Sequence, residues 1–204
     1  MNDFSLASSN IEDLNFCIEK IYKSIGLHLT KEPIKDIDPK NEKYGAYTLY
    51  LNQKKVLFRI GKVTNDRPGA FVTIWKRCKN SGYIIPFDFD DAIEYLFVLV
   101  KGVSKEKNKQ YKGQFFFDKD LLMKKGIFSK NKEGGKLAMR VFPPWSNELA
   151  QEFIRHSLNN SIAVKKSQSM SSSAKKTQIW QSNYFVSFTD QDNINFSNVK
   201  TLYK

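Results

Sequence analysis

Two cysteines and two histidines are all that this 204-residue chain holds of the residue types that build most zinc and thiol sites. Cys17 and Cys78 are distant and form no CxxC pair, and with only His28 and His156 besides, no zinc-ligand spacing exists. Buried, reduced thiols in a cytosol are the expected state. Long apolar runs are missing too. The longest, residues 95–100, is far too short to cross a bilayer, and Met1-Asn2-Asp3-Phe4-Ser5 has neither the basic nor the apolar region of a secretion signal. A cytoplasmic protein with no membrane partner is the expectation. There is no GxGxxG or P-loop spacing, no GxSxG elbow and no HExxH. Gly134-Gly135 is too short for a phosphate cradle and reads as a hairpin turn.

Acid is scarce as well: 33 Lys and Arg face 21 Asp and Glu, a formal net charge of +12. The excess is uneven. Residues 1–50 carry six basic and eight acidic side chains, leaving 27 basic against 13 acidic in residues 51–204, so the first quarter is not a basic binding surface, and on charge alone the remainder reads equally as a binding face or as solvated lysines. Only five of the cations are Arg, and a Lys- and Asn-rich composition is also what a codon bias produces. Such a bias enriches acids too, so the excess of one sign stands.

What the chain does have is aromatic rings set among cations and amides. All three tryptophans lie in such segments: Ile74-Trp75-Lys76-Arg77, Phe142-Pro143-Pro144-Trp145-Ser146 and Lys175-Lys176-Thr177-Gln178-Ile179-Trp180-Gln181. Rings beside cations can hold a polyanion whose bases also offer flat faces. At 41% hydrophobic and 26% charged residues the chain is otherwise an ordinary globular sequence, with one main domain as the default.

Ser9 with Glu12 forms a capping box, and Ile11, Leu14, Ile18, Ile21 and Ile25 make an apolar stripe stopped by Gly26, so an amphipathic helix is predicted there. Strand-like runs follow at 46–51, 55–64 and 70–77, read most simply as a three-stranded antiparallel meander. Its alternation places Val56, Phe58, Ile60 and Lys62 on one face and Val72, Ile74 and Lys76 on one face, with Arg59 opposite Trp75 in a cation–π pair. Further strands are predicted at 95–103, 114–117 and 137–142, with a short helix from Asp118 to near Gly126. Ser146 caps a helix carrying Leu149, Phe153 and Leu158. Residues 157–173 read as a Ser-rich flexible loop, a second helix opens at Ala174 and runs through Phe185, and 189–204 reads as a weakly ordered polar tail.

Several of these runs together resemble the MepB family in order and spacing. They are Phe58-Arg59-Ile60-Gly61-Lys62-Val63-Thr64, Gly69-Ala70-Phe71-Val72-Thr73-Ile74-Trp75-Lys76-Arg77, Ile85-Pro86-Phe87-Asp88, Gly113-Gln114-Phe115-Phe116-Phe117 and Met139-Arg140-Val141-Phe142-Pro143-Pro144-Trp145, and the run from Ala174 to Phe185. The resemblance spans about residues 44–188, with 151–173 as an insertion. It divides the chain into an N-terminal helix and connector (1–43), a MepB-like domain (44–188) and a tail (189–204). It implies an α/β fold with a mixed, mainly antiparallel sheet flanked by helices, like a restriction-endonuclease core, and a role in nucleic-acid binding.

Metal-dependent nucleases of that fold use an Asp on the second strand and an acidic-x-Lys motif on the third, since clustered carboxylates hold Mg²⁺ while the lysine orients water. Here Lys76 suits the lysine, but Ile74 stands where the acid would be and residues 55–64 contain no carboxylate. The expectation is a non-catalytic, largely sequence-independent nucleic-acid-binding protein without a cofactor. Its contact set is Arg59, Lys62, Trp75, Lys76, Arg77, Arg140, Trp145, Lys175, Lys176, Gln178 and Trp180, with DNA against RNA preference and oligomeric state left open. Two rivals stand beside it. One is a Mg²⁺-dependent nuclease built on Asp88, Asp90, Asp91 and Glu94, although those residues more often mark a turn; the other is an effector module that meets an acidic protein.

Overall fold

The computed structural model describes residues 4–36, 38–42, 44–64, 67–165 and 168–188, so the expected tail at 189–204 lies outside the described residues. Helix α1 (Phe4–Phe16) runs on through a π-helical stretch, Cys17–Tyr22, and a 3-10 turn, Lys23–Ile25. Gly26 ends it in the left-handed conformation with φ 80°, as its missing Cβ allows. The helix begins five residues ahead of Ser9, which is thus interior to it and not its cap. Of the expected stripe, Leu14, Ile18 and Ile21 are buried, whereas Ile11 is exposed because the widened turn rotates the face.

Strand β1 (Ile34–Lys35) and the single turn α2 (Pro39–Glu42) lead into β2 (Tyr47–Leu51) and β3 (Lys54–Ile60). The meander expected to continue from there is corrected by the structure. The 55–64 run breaks at Gly61, and β4 (Lys62–Thr64) pairs with β5 (Arg67–Thr73) in a separate sheet. The 70–77 run breaks at Ile74, and β6 (Trp75–Arg77) pairs with β7 (Ile84–Pro86). Gly61 marks the crossing: a Cβ there would sit 2.9 Å from Ala70 Cβ and 3.0 Å from Val100 Cγ1, where the small sheet meets the large one. Lys62 therefore does not share a sheet face with Phe58 and Ile60.

Strands β8 (Tyr95–Ser104) and β9 (Lys109–Asp118) form a long hairpin, followed by α3 (Lys119–Lys124), which Asp118 caps through Leu121 N–H, and by β10 (Ala138–Val141). Helix α4 (Ser146–Asn159), helix α5 (Ser172–Ser182) and β11 (Phe185–Phe188) complete the chain. Residues 151–159, expected within an insertion, are the second half of α4. That helix is capped at Trp145 and not at Ser146, because Leu149 N–H already reaches Trp145 O. Helix α5 opens at Ser172 under a Ser171 cap and stops short of Phe185, which pairs with Phe115 in the sheet instead.

The main sheet has the order β1-β2-β3-β8-β9-β11, antiparallel except for the parallel β3–β8 pair, and the smaller sheets are β10-β5-β4 and β6-β7. This is a mixed, mainly antiparallel α/β architecture, as expected. Both faces of the large sheet are covered. Val56, Phe58, Ile60, Phe97 and Leu99 pack against Leu14, Ile18, Ile21 and Tyr22, while Leu57, Leu96, Val98, Val100 and Phe115 pack against β5, β10, α3 and Trp145. A strand buried on both faces has no polar alternation, which is why residues 95–100 are uniformly apolar. Among the described residues no helix is long and apolar enough to cross a membrane.

Candidate nucleic-acid interface

Arg59 is the clearest departure from the expected contact set. It is 2% exposed. Its Nε donates to Thr73 O at 3.2 Å, and its Nη1 donates to Phe58 O at 2.8 Å and Tyr47 O at 3.3 Å. A guanidinium sunk between two sheets cannot touch a phosphate, so Arg59 is a structural cation. Burial pulls its pKa down to about 10, which leaves it charged at neutral pH. The expected cation–π partner of Trp75 is Arg77 instead, 5.8 Å from a ring that is itself buried.

Three more of the expected cations are engaged. Lys76 is ion-paired with Asp91, and Arg77 with Asp38 while also donating to Gly82 O at 2.9 Å. Arg140 donates to Thr64 Oγ1 at 2.8 Å and to Pro68 O at 3.2 Å, stapling β10 to the β4–β5 turn. Trp145 is buried, stacked on Tyr111 at 5.1 Å and edge-on to Phe185 at 5.4 Å, which makes it a packing residue. Gln178 donates to Pro143 O at 2.8 Å. A residue that sequence reading passed over does more: Gln181, fully buried, accepts from Phe142 N–H at 2.8 Å and donates to Arg140 O at 3.0 Å, fixing α5 along β10. An amide three residues after Gln178, and so on a neighbouring part of the same helix face, was the available signal.

Lys62, Lys175 and Lys176 remain solvent-exposed, and Trp180 is half-buried. Trp180 carries the most informative geometry. One side packs on Phe117 at 5.7 Å between ring centroids, and the Lys125 ammonium lies 4.8 Å over the ring. Helix α5 presents Lys175, Lys176 and a 69%-exposed Ile179 and has no acidic residue. The neighbouring segment 119–136 holds six lysines against two acids. The two segments carry a net charge of +6 between them, and Lys125 is the cation placed over the indole.

The acidic cluster behaves as a turn. Asp88 caps the 3-10 turn Phe89–Asp91, accepting from Asp90 N–H at 3.1 Å, and Asp91 reciprocates by accepting from Asp88 N–H at 2.7 Å. Asp88 also accepts from Ser129 Oγ at 2.7 Å and from Lys132 N–H at 2.8 Å. Among the described residues no group of three or more His, Cys, Asp or Glu side chains is placed to hold a metal ion. The turn expected at Gly134-Gly135 lies just ahead of them, at Asn131-Lys132 between the paired Lys130 and Glu133, and the two glycines follow it with φ 72° and 80°. Cys17 is buried, and burial pushes its thiol well up; Cys78, half-buried in the β6–β7 turn, has its pKa lowered to about 7 by hydrogen bonds from Ser81 and the backbone.

The Ser129 hydroxyl, with the amides of Asp90 and Lys132 and the charge of Lys76, holds the Asp88 carboxyl below the ordinary carboxylate range against the cost of burial. A depressed carboxylate contributes stability above its unfolded pKa and loses it as pH falls through the folded value, below about 4. Asp88→Ala is accordingly expected to lose about 1–2 kcal/mol at pH 7 and distinctly less at pH 3, measured by urea unfolding. Equal losses at both pH values would show that the charge is not what the turn uses.

The family model described as MepB-like matches residues 38–157, more than half of the chain. The chain belongs to the MepB-like family. A solved structure described as the crystal structure of MepB is similar, with TM-score 0.58 and 27% sequence identity over 79% of this chain and 88% of that one. No curated protein matches.

Proposed function

We propose that the chain is a cytoplasmic, non-catalytic nucleic-acid-binding protein that grips the phosphate backbone with little regard to sequence. The contact face is α5 together with the end of α3: Lys124, Lys125, Lys175 and Lys176 around Trp180. The observation that carries this reading is the Lys125 ammonium over a half-buried indole beside an exposed helix face with two lysines and no acid. Lysines neutralise phosphates without reading base edges, and the indole offers a sequence-tolerant stacking surface. Membership of the MepB-like family agrees with this reading through the resemblance drawn from the sequence. The engaged state of Asp88 and Asp91 speaks against the nuclease alternative.

The test is a salt-titrated binding assay with duplex DNA, single-stranded DNA and RNA of unrelated sequences. Affinity is expected to fall by orders of magnitude between about 50 and 200 mM salt, and Lys125→Gln/Lys175→Gln/Lys176→Gln to reduce the salt slope by about 2–3. Affinity indifferent to salt would overturn the reading. Cleavage of the probes that requires Mg²⁺ would replace it with the enzyme.

A further inference from the structure

Phe89 is a large apolar ring left 44% exposed in a turn that is held by its own hydrogen bonds. Asp88 and Asp91 cap that turn reciprocally, and the Phe89 amide donates to Ser129 O at 2.9 Å, so the ring is carried on a fixed backbone. Its cover is a cation. The Lys119 ammonium lies 3.7 Å from the ring centroid, the arrangement that Lys125 repeats over Trp180 at 4.8 Å. Lys119 opens α3 and Lys125 caps its end, so the two ammonium-bearing residues stand at opposite ends of one short helix, about 9 Å apart along its axis at a rise of about 1.5 Å per residue.

An ammonium over a solvent-exposed ring is weakly held, and a lysine on a flexible stem can leave the ring for a phosphate close by. The ring face is then open to a flat partner. A duplex does not supply one, because its outer surface is sugar and phosphate and its bases are already stacked on each other. The same holds for Ile179, 69% exposed and next to Trp180, since an apolar side chain gains nothing from a phosphate. An unpaired strand offers base faces to all three. Asp90 points the same way. It is exposed beside Phe89 and repels phosphate, but its carboxylate can accept from the exocyclic amines that unpaired bases present on their Watson–Crick edges.

We propose that the nucleic acid bound at α3 and α5 is single-stranded, with one base stacked on Phe89, another on Trp180, and Lys119 and Lys125 moved from the rings to the phosphates beside those bases. This rests on the reading of α5 and the end of α3 as a phosphate-binding face, and it adds Phe89 to the site and names the class of strand the site takes. The shared chemistry is the unpaired base, which DNA and RNA both supply. Phe89 contributes no charge, so its part in binding is separable from that of the lysines: the ring sets the preference for unpaired bases, and the lysines set the dependence on salt.

The probes are labelled oligonucleotides of one length, titrated into the full chain at a fixed salt concentration: unpaired DNA, unpaired RNA, duplex DNA, and a DNA strand of abasic residues that keeps the phosphates and lacks the bases. The tighter of the two unpaired strands is expected to bind at least about fivefold better than the duplex and the abasic strand, and it identifies DNA or RNA as the source of the base. Phe89→Ala is expected to weaken that strand at least about fivefold, with duplex affinity within about twofold of wild type and the salt slope unchanged, because no phosphate contact is lost. The comparison of probes on the wild-type chain decides the matter even where the variant loses stability. A duplex or an abasic strand bound as tightly as the unpaired strands, or a folded Phe89→Ala chain with wild-type affinity, would overturn the proposal and leave salt-sensitive phosphate binding standing. Binding to every probe that is absent or indifferent to salt would overturn both.

Discussion

Replacing Arg59 with alanine is expected to destabilise the protein by about 3–5 kcal/mol, the loss that accompanies a buried charged donor and the space it fills. Among the described residues the hydrogen bonds of the guanidinium go to carbonyls, Thr73 O at the end of β5, Phe58 O on its own strand and Tyr47 O on β2, with the Asp36 charge nearby. It thereby ties the small sheet to the large one at the point where the chain has just crossed between them. Around it Thr73 Oγ1 donates to Asn41 Oδ1 at 3.1 Å, and Asn41 donates to Asp36 at 2.9 Å, so the site is anchored to the connector that precedes β2. Arg59→Met separates the contributions. It fills most of the volume and leaves the carbonyls without donors, and should recover only part of the loss. Urea unfolding gives the comparison, and a wild-type midpoint in Arg59→Ala would mean that water satisfies those carbonyls unaided.

The same residue shows where sequence reading stops. Arg59 sits in an alternating run next to Lys62, and within a basic protein both look like surface cations. Only the second layer, built by β4, β5 and β10, decides that one of them is covered. That layer exists because the chain turns out of the first sheet at Gly61, and a glycine in a strand pattern can equally mark a bulge, a bend or a close approach. The amphipathic helix ending at Gly26, the strand at 95–103 and the short helix from Asp118 were legible, because each rests on a local pattern of residues. Sheet membership was not, since β3 pairs in parallel with β8 across a separation of about 40 residues, and no local pattern encodes that partner. At the candidate interface Lys175, Lys176 and Trp180 were readable from composition. Lys125 was not singled out, because its place over the Trp180 ring is a contact between two helices distant in sequence.

Trp145→Ala should be the other large effect, again about 3–5 kcal/mol, and its cause differs from that of Arg59. The indole satisfies no buried network; its contribution is volume and ring contact. It stacks within 17° of parallel on Tyr111, meets Phe185 edge-on, and fits against the bare backbone of Gly102. Tyr111 is in turn held by its hydroxyl, which donates to Glu148 at 2.6 Å, so the stack joins β9 to the first turn of α4. Pro143 and Pro144 fix the backbone leading into the ring, which makes relaxation into the void expensive and places the expected loss toward the upper part of the range. Trp145→Phe should recover much of it, because a smaller ring can keep the stack on Tyr111. Nucleic-acid affinity per folded molecule is expected to stay unchanged in both variants, since the ring is buried away from α5's exposed face. A Trp145→Ala protein with wild-type stability that no longer binds nucleic acid would move the contact surface from α5 to the start of α4.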